Sequence, residues 1–175
     1  MFDTIAGLPL HPLVVHATEV MVPTAALVIA LAAVWPLFRR WAGFLPFGLG
    51  LAALLLVPIS TQSGEALQER VKDSSLISTH ADLAEGLLPW IFVLFVVSGV
   101  LLWWNRAERT GKSPRASKWV PIALAVTAVL AAAGTTGQAV LIGHSGATAV
   151  WSQAGVTYRR PGRSEVAVGR RPHTP

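Results

Sequence analysis

Four histidines and a set of carboxylates and amides stand at recurring places in an otherwise apolar chain: His11, His16 and Glu19; Gln62 and Glu65; His80, Asp82 and Glu85; Gln138 and His144. Neutral imidazole is a common ligand for haem iron, zinc, copper and non-haem iron. Ionisable groups in an apolar run are costly there and need a partner or a task. His16, Glu19 and Pro23 are spaced i, i+3 and i+7, so they share one helix face. Asp82, Glu85 and Pro89 repeat that spacing, and Pro58, Gln62 and Glu65 approach it. Each proline deprives the carbonyl four residues earlier of its usual donor. For Pro23 and Pro89 that carbonyl belongs to Glu19 and Glu85.

Two kinds of centre follow from these residue types. A b-type haem needs two facing histidines and no cysteine; His16 and His80 are the first pair for it, with His11 and His144 ligating the same centre or a second haem. Ala17, Gly86, Gly137, Gly143 and Gly146 are small enough to lie beside a macrocycle. The other centre is a compact site of His16, His80, His144, Glu19 and Glu85 for zinc, iron or copper, with Gln62, Glu65, Asp82 and Gln138 as supporting polar groups. Either would suit electron transfer. The competing reading is a membrane binding, transport or scaffold subunit with a polar outer pocket and no metal, its histidines satisfied by water and carboxylates. His11, ahead of the first span, could simply cap a helix or face headgroups. The chain has no Cys, which removes thiolate metal sites and covalent haem attachment. Gly143-His144-Ser145-Gly146 lacks the final Gly of a nucleophile elbow, since Ala147 fills that position. That argues against a serine hydrolase and leaves the question of an enzyme open, with a redox or metal-binding membrane protein the favoured reading.

The elements that must position these groups are membrane helices. The 175 residues are 53% hydrophobic and 13% charged, against about 25% charged in soluble domains. The net charge of +5 sits in short clusters between apolar runs, which fits membrane topology rather than nucleic acid. Nothing basic precedes the first apolar run, so a signal peptide is not expected. Four stretches, 13–38, 44–63, 83–104 and 120–151, reach the roughly 20 apolar residues that cross a bilayer. Pro12 suits a first helical position, and Thr79-x-x-Asp82 reads as a capping box for the third helix. Short first and third connections make neighbours antiparallel. The expected fold is all-α: a four-helix transmembrane up-and-down bundle over residues 1–158, followed by a disordered basic C-terminal tail, 159–175. Arg39 and Arg40, with Arg106, Arg109, Lys112, Arg115 and Lys118, put one end of the bundle on the cytoplasmic side of the cell (inner) membrane, and both termini outside. Trp35, Trp41, Trp103, Trp104 and Trp119 gather at the cytoplasmic end, as in an aromatic belt. His11, His16, His80 and His144 all fall at the other end. Antiparallel order alone requires that convergence. The lipid bilayer is the first partner; nucleic acid is not one. A bundle this small is open to oligomerisation, though no dimer motif stands out.

A weak internal repeat runs through the chain. Glu19-Val-Met-Val-Pro23 matches Glu85-Gly-Leu-Leu-Pro89, and Gln62-Ser63-Gly64 matches His144-Ser145-Gly146. Two duplicated hairpins would be parallel repeats. The opening Gly7-Leu-Pro-Leu-His-Pro-Leu-Val-Val-His16, Gln62-Ser-Gly-Glu65, His80-Ala-Asp-Leu-Ala-Glu85-Gly86 and Gly143-His-Ser-Gly146 resemble one bacterial family of four-helix integral membrane proteins, domain of unknown function twenty-two thirty-one. The resemblance covers nearly all of the chain except the tail. It implies a redox setting, because such domains can occur fused to Rieske-type iron–sulfur domains, and a Rieske-type or other redox protein is the partner it suggests. It supplies no activity.

Overall fold

Proline and glycine divide this chain into its helices. The computed structural model describes residues 4–5, 8–69, 75–111 and 119–153. Two short strands, β1 (Thr4–Ile5) and β2 (Leu8–Pro9), pair antiparallel ahead of the first helix. Six helices follow: α1 (Leu10–Val34), α2 (Pro36–Ala42), α3 (Leu45–Gln68), α4 (Ser75–Glu85), α5 (Leu87–Arg109) and α6 (Trp119–Gln153). Four segments are long and apolar enough to cross a membrane: His11–Val34, Leu45–Gln68, Ser75–Arg109 and Trp119–Trp151. The expected four-span, all-α bundle is therefore present. The basic tail and the residues 70–74 and 112–118 lie outside the described residues.

The element boundaries differ from the expected ones for local reasons. The first span stops at Val34, because Pro36 forces Trp35 into an extended conformation (φ −123°, ψ 95°) and starts the separate helix α2. Helix α1 begins at Leu10, so Pro12 is its third residue. The third span begins at Ser75, and Thr79 is not its cap. The Thr79 hydroxyl donates back to the Ser75 carbonyl at 2.8 Å, inside α4. The break expected nowhere in that span falls at Gly86, between α4 and α5. There the Gln138 amide of α6 donates to the Leu83 carbonyl at 2.7 Å.

Helix α1 packs on α3 and α6, and α5 packs on the same two, leaving α1 and α5 on one diagonal. The shared core is small and tight: Val22, Ala25, Ala26, Ile29 and Ala32 of α1 meet Ile91, Leu94 and Leu101 of α5, with Ala53, Val57, Ala128 and Ala131 from the flanking helices. Small residues let membrane helices approach closely, since lipid supplies no hydrophobic drive between them. Large apolar side chains such as Leu27, Leu55, Phe92, Leu130 and Val140 face outward, toward the bilayer. A Cβ on Gly50 would lie 3.0 Å from Ser98 Oγ and 3.6 Å from the Phe95 backbone. Gly50→Leu is expected to destabilise the bundle by about 1–3 kcal/mol or more by overpacking the α3–α5 contact. Denaturant titration in detergent micelles measures this.

The buried positions repeat. One interval separates Thr18 from Leu87, Val22 from Ile91, Ala25 from Leu94, Ile29 from Ser98 and Ala32 from Leu101, and all ten are buried. A second interval separates Pro46 from Ala128 and Ala53 from Thr135, again all buried. The α1–α3 hairpin and the α4–α5–α6 unit are thus parallel structural repeats. The sequence match of Glu19–Pro23 with Glu85–Pro89 is out of this register by three residues. In space Glu19 and Pro23 correspond to Leu88 and Phe92. A three-residue slip is nearly one helical turn, so it keeps the same face and conceals the error in a sequence pattern.

At the end opposite the histidines, Glu108 of α5 gathers three side chains. It accepts from Arg39 Nη2 at 3.1 Å and Trp104 Nε1 at 2.8 Å, and lies 3.6 Å from Arg40 Nε. Arg109 donates to the Arg40 carbonyl. Arg39 is buried here, so it is a structural charge as well as a topological one.

Candidate functional site

The first turn of α1 carries His11, half-buried against α3. Its Nδ1 lies 3.1 Å from Ser63 Oγ, and the ring also hydrogen-bonds the Ser60 carbonyl. Ser63 donates its hydroxyl proton to the Ser60 carbonyl at 2.9 Å. With that proton committed, Ser63 Oγ can only accept, so His11 donates from Nδ1–H. Helix α4 presents His80 to α6 in the same way. Its Nδ1 lies 3.0 Å from Ser145 Oγ and 3.1 Å from the Ile142 carbonyl, and Ser145 donates to that carbonyl at 2.9 Å. A carbonyl can only accept, so His80 too carries its proton on Nδ1. In both rings the lone pair is left on Nε2, the arrangement that a second-shell acceptor imposes on a ligating histidine.

Glycine makes both contacts. A Cβ on Gly64 would sit 3.0 Å from His11 Cε1 and 3.4 Å from its Nδ1; a Cβ on Gly146 would sit 3.0 Å and 3.3 Å from the same atoms of His80. The interval from Ser63 to Ser145 is the one that relates the buried positions of α3 and α6, and the interval from His11 to His80 is that of α1 and α5. The two His–Ser–Gly units repeat one another in residue type, interval and hydrogen-bond pattern.

The remaining candidates are placed differently. His16 is exposed and donates from Nδ1 to the Pro12 carbonyl of its own helix at 2.6 Å. Five residues rotate a helix by about 140° beyond one full turn, so His16 cannot face where His11 faces. His144 is exposed beside Ser145. Glu19 is exposed at the α1–α6 seam, with Oε1 3.8 Å from where a Gly143 Cβ would be. Asp82 is exposed, and Gln62, Glu65 and Glu85 line a groove between α3 and α4–α5. Gln138 stitches α6 to the α4–α5 break, where a Cβ on Gly86 would meet its Nε2 at 2.9 Å. Among the described residues, no group of three or more His, Asp or Glu side chains could hold a metal ion. The compact site of His16, His80, His144, Glu19 and Glu85 is not assembled among the described residues: His16, Glu19, Glu85 and His144, four of its five members, are exposed on three different helices. Ser63 and Ser145 are the residues that sequence reasoning passed over. The repeated Gln-Ser-Gly and His-Ser-Gly triplets contained the signal, but attention fell on His144 rather than on the serine after it.

Residues 7–159 match the family described as predicted membrane protein, DUF2231. The chain belongs to this family. The DUF2231 match takes in all four spans and both His–Ser–Gly units. No curated protein and no solved structure matches the chain.

Proposed function

We propose that this DUF2231 protein binds a single b-type haem between His11 and His80 and serves in electron transfer. The observation that carries the reading is the duplicated His–Ser–Gly unit, which presents two imidazoles of the same tautomer, each with an Nε2 lone pair available. Two such ligands satisfy a bis-histidine haem. They fall short of the four that a structural zinc takes, and the neighbouring carboxylates that would complete a zinc, iron or copper site point elsewhere. A haem iron with both axial positions filled has no open place for a substrate, which favours electron transfer over catalysis.

By the positive-inside rule, Arg39, Arg40, Arg106 and Arg109 at the opposite end support a reading in which the haem would lie toward the non-cytoplasmic face of the inner membrane. A Rieske-type or other redox protein on that face would be its protein partner. Haemin titration of the purified full chain tests the binding step. Saturation at one haem per chain, with a shifted Soret band, is the expected outcome. Haemin that only partitions into detergent, without saturation, would remove the reading.

A further inference from the structure

A groove of about 750 Å³ runs between α3 and α4–α5. Its deep end is apolar, lined by Leu54, Val57, Leu88 and Phe92, and its outer end is polar, lined by Thr61, Gln62, Glu65 and Glu85. Along the helices this grading parallels that of the bilayer, from hydrocarbon to interface. The mouth is rich in acceptors. Glu65 and Glu85 are exposed carboxylates. Thr61 has its hydroxyl proton committed to the Pro58 carbonyl at 3.0 Å, so its oxygen only accepts. Pro89 has no N–H to offer the Glu85 carbonyl. Of the four polar residues, Gln62 alone brings side-chain N–H donors. The ligand such a groove suits has an apolar tail and a head that is not anionic and bears hydrogen-bond donors. Two carboxylates repel an anionic phospholipid head.

We propose that the groove binds an isoprenoid quinol, with its two hydroxyls donating to Glu65 and Glu85. The choice of a redox ligand rests on the haem reading above. The two sites lie at the same end of the bundle: Gln62 of the groove precedes Ser63, which holds His11, and Glu85 lies five residues beyond His80 on α4, about 7.5 Å along the helix axis and turned about 140° from it. The oxidised quinone carries carbonyls where the quinol carries hydroxyls. Against Glu65 and Glu85 it presents acceptors to acceptors, and Gln62 alone can donate to it, so the groove favours the quinol.

Thermal unfolding of the full chain in detergent, without oxygen, tests this with decylubiquinol and decylubiquinone as probes. A bound ligand raises the midpoint saturably. The quinol is expected to half-saturate at about tenfold lower concentration than the quinone, the worth of one to two net hydrogen bonds. The double variant Glu65→Gln with Glu85→Gln loses that preference. Leu88→Trp, at a position 41% exposed and so outside the core, fills the groove and loses the shift for both probes. A shift that never saturates, that persists in Leu88→Trp, or that a phospholipid reproduces would overturn the proposal. Haem content read on the same samples keeps the two readings apart. Quinol binding without haem sinks the haem centre alone, and haem without quinol binding sinks the groove alone.

Discussion

His11→Ala and His80→Ala are each expected to abolish haem binding at the proposed bis-histidine centre, while His16→Ala and His144→Ala are expected to leave it unchanged. Truncating either histidine would take away one of the two side chains that would hold the haem. The vacated place is walled by Ser63 and Gly64, or by Ser145 and Gly146, none of which carries an imidazole. The contrast within α1 is the informative part. His11 and His16 are five residues apart on one helix and equally plausible as ligands by residue type. Only His11 has its Nδ1 proton directed at a neighbouring helix; His16 spends its own on the Pro12 carbonyl. Ser63→Ala and Ser145→Ala keep the ligands but remove one acceptor from each Nδ1–H, and a loss of about 10–100-fold in haem affinity is expected, as for other second-shell partners of ligating histidines. Equal sensitivity of the two serines would follow from the matched hydrogen bonds of the two units. Haem content of the purified variants, read from the Soret band, checks the whole series.

Glu108→Ala is expected to destabilise the fold by about 3–5 kcal/mol, the cost of removing one partner from a buried ion pair. The Arg39 and Glu108 side chains are 10% and 21% exposed, so water screens their interaction little. Loss of the carboxylate leaves the Arg39 guanidinium charged, largely buried and without its partner, and leaves Trp104 Nε1–H without an acceptor. Arg39→Met should cost much less, because it leaves no stranded cation and Glu108 keeps Trp104 and Arg40 beside it. Comparing the two variants by denaturant titration in micelles separates the cost of an orphaned charge from the worth of the pair. Since Glu108 is at the far end of the bundle from His11 and His80, the haem spectrum of folded Glu108→Ala protein should match that of the unchanged chain.

The gross architecture was legible because it depends on long apolar runs and chain order. Four spans, antiparallel neighbours and the gathering of His11, His16, His80 and His144 at one end all follow from those. The break at Gly86 was not legible. It depends on Gln138, more than fifty residues away, donating to the Leu83 carbonyl, which no local pattern reveals. Thr79 misled because a Ser or Thr three residues before an acid suits a helix interior as well as a cap once the hydroxyl bonds backward to Ser75.

The site was half legible. Residue type and bundle end were enough to name His11 and His80 as candidates. Ranking them required knowing which helix face meets a partner, and the spacing of His16, Glu19 and Pro23 drew weight to a face of α1 that turns outward. The repeat in Gln62-Ser-Gly and His144-Ser-Gly was visible as letters. Its meaning lay in the third dimension, where Ser63 and Ser145 accept from histidines on other helices and Gly64 and Gly146 leave room for the rings.

The central claim is that one iron takes His11 on one side and His80 on the other. Electron paramagnetic resonance of the ferric, haem-loaded full chain tests it most directly. Two imidazole ligands predict a low-spin signal that His80→Ala abolishes and His16→Ala leaves unchanged. A high-spin signal in the unaltered protein, or a low-spin signal that survives in both His11→Ala and His80→Ala, would contradict it.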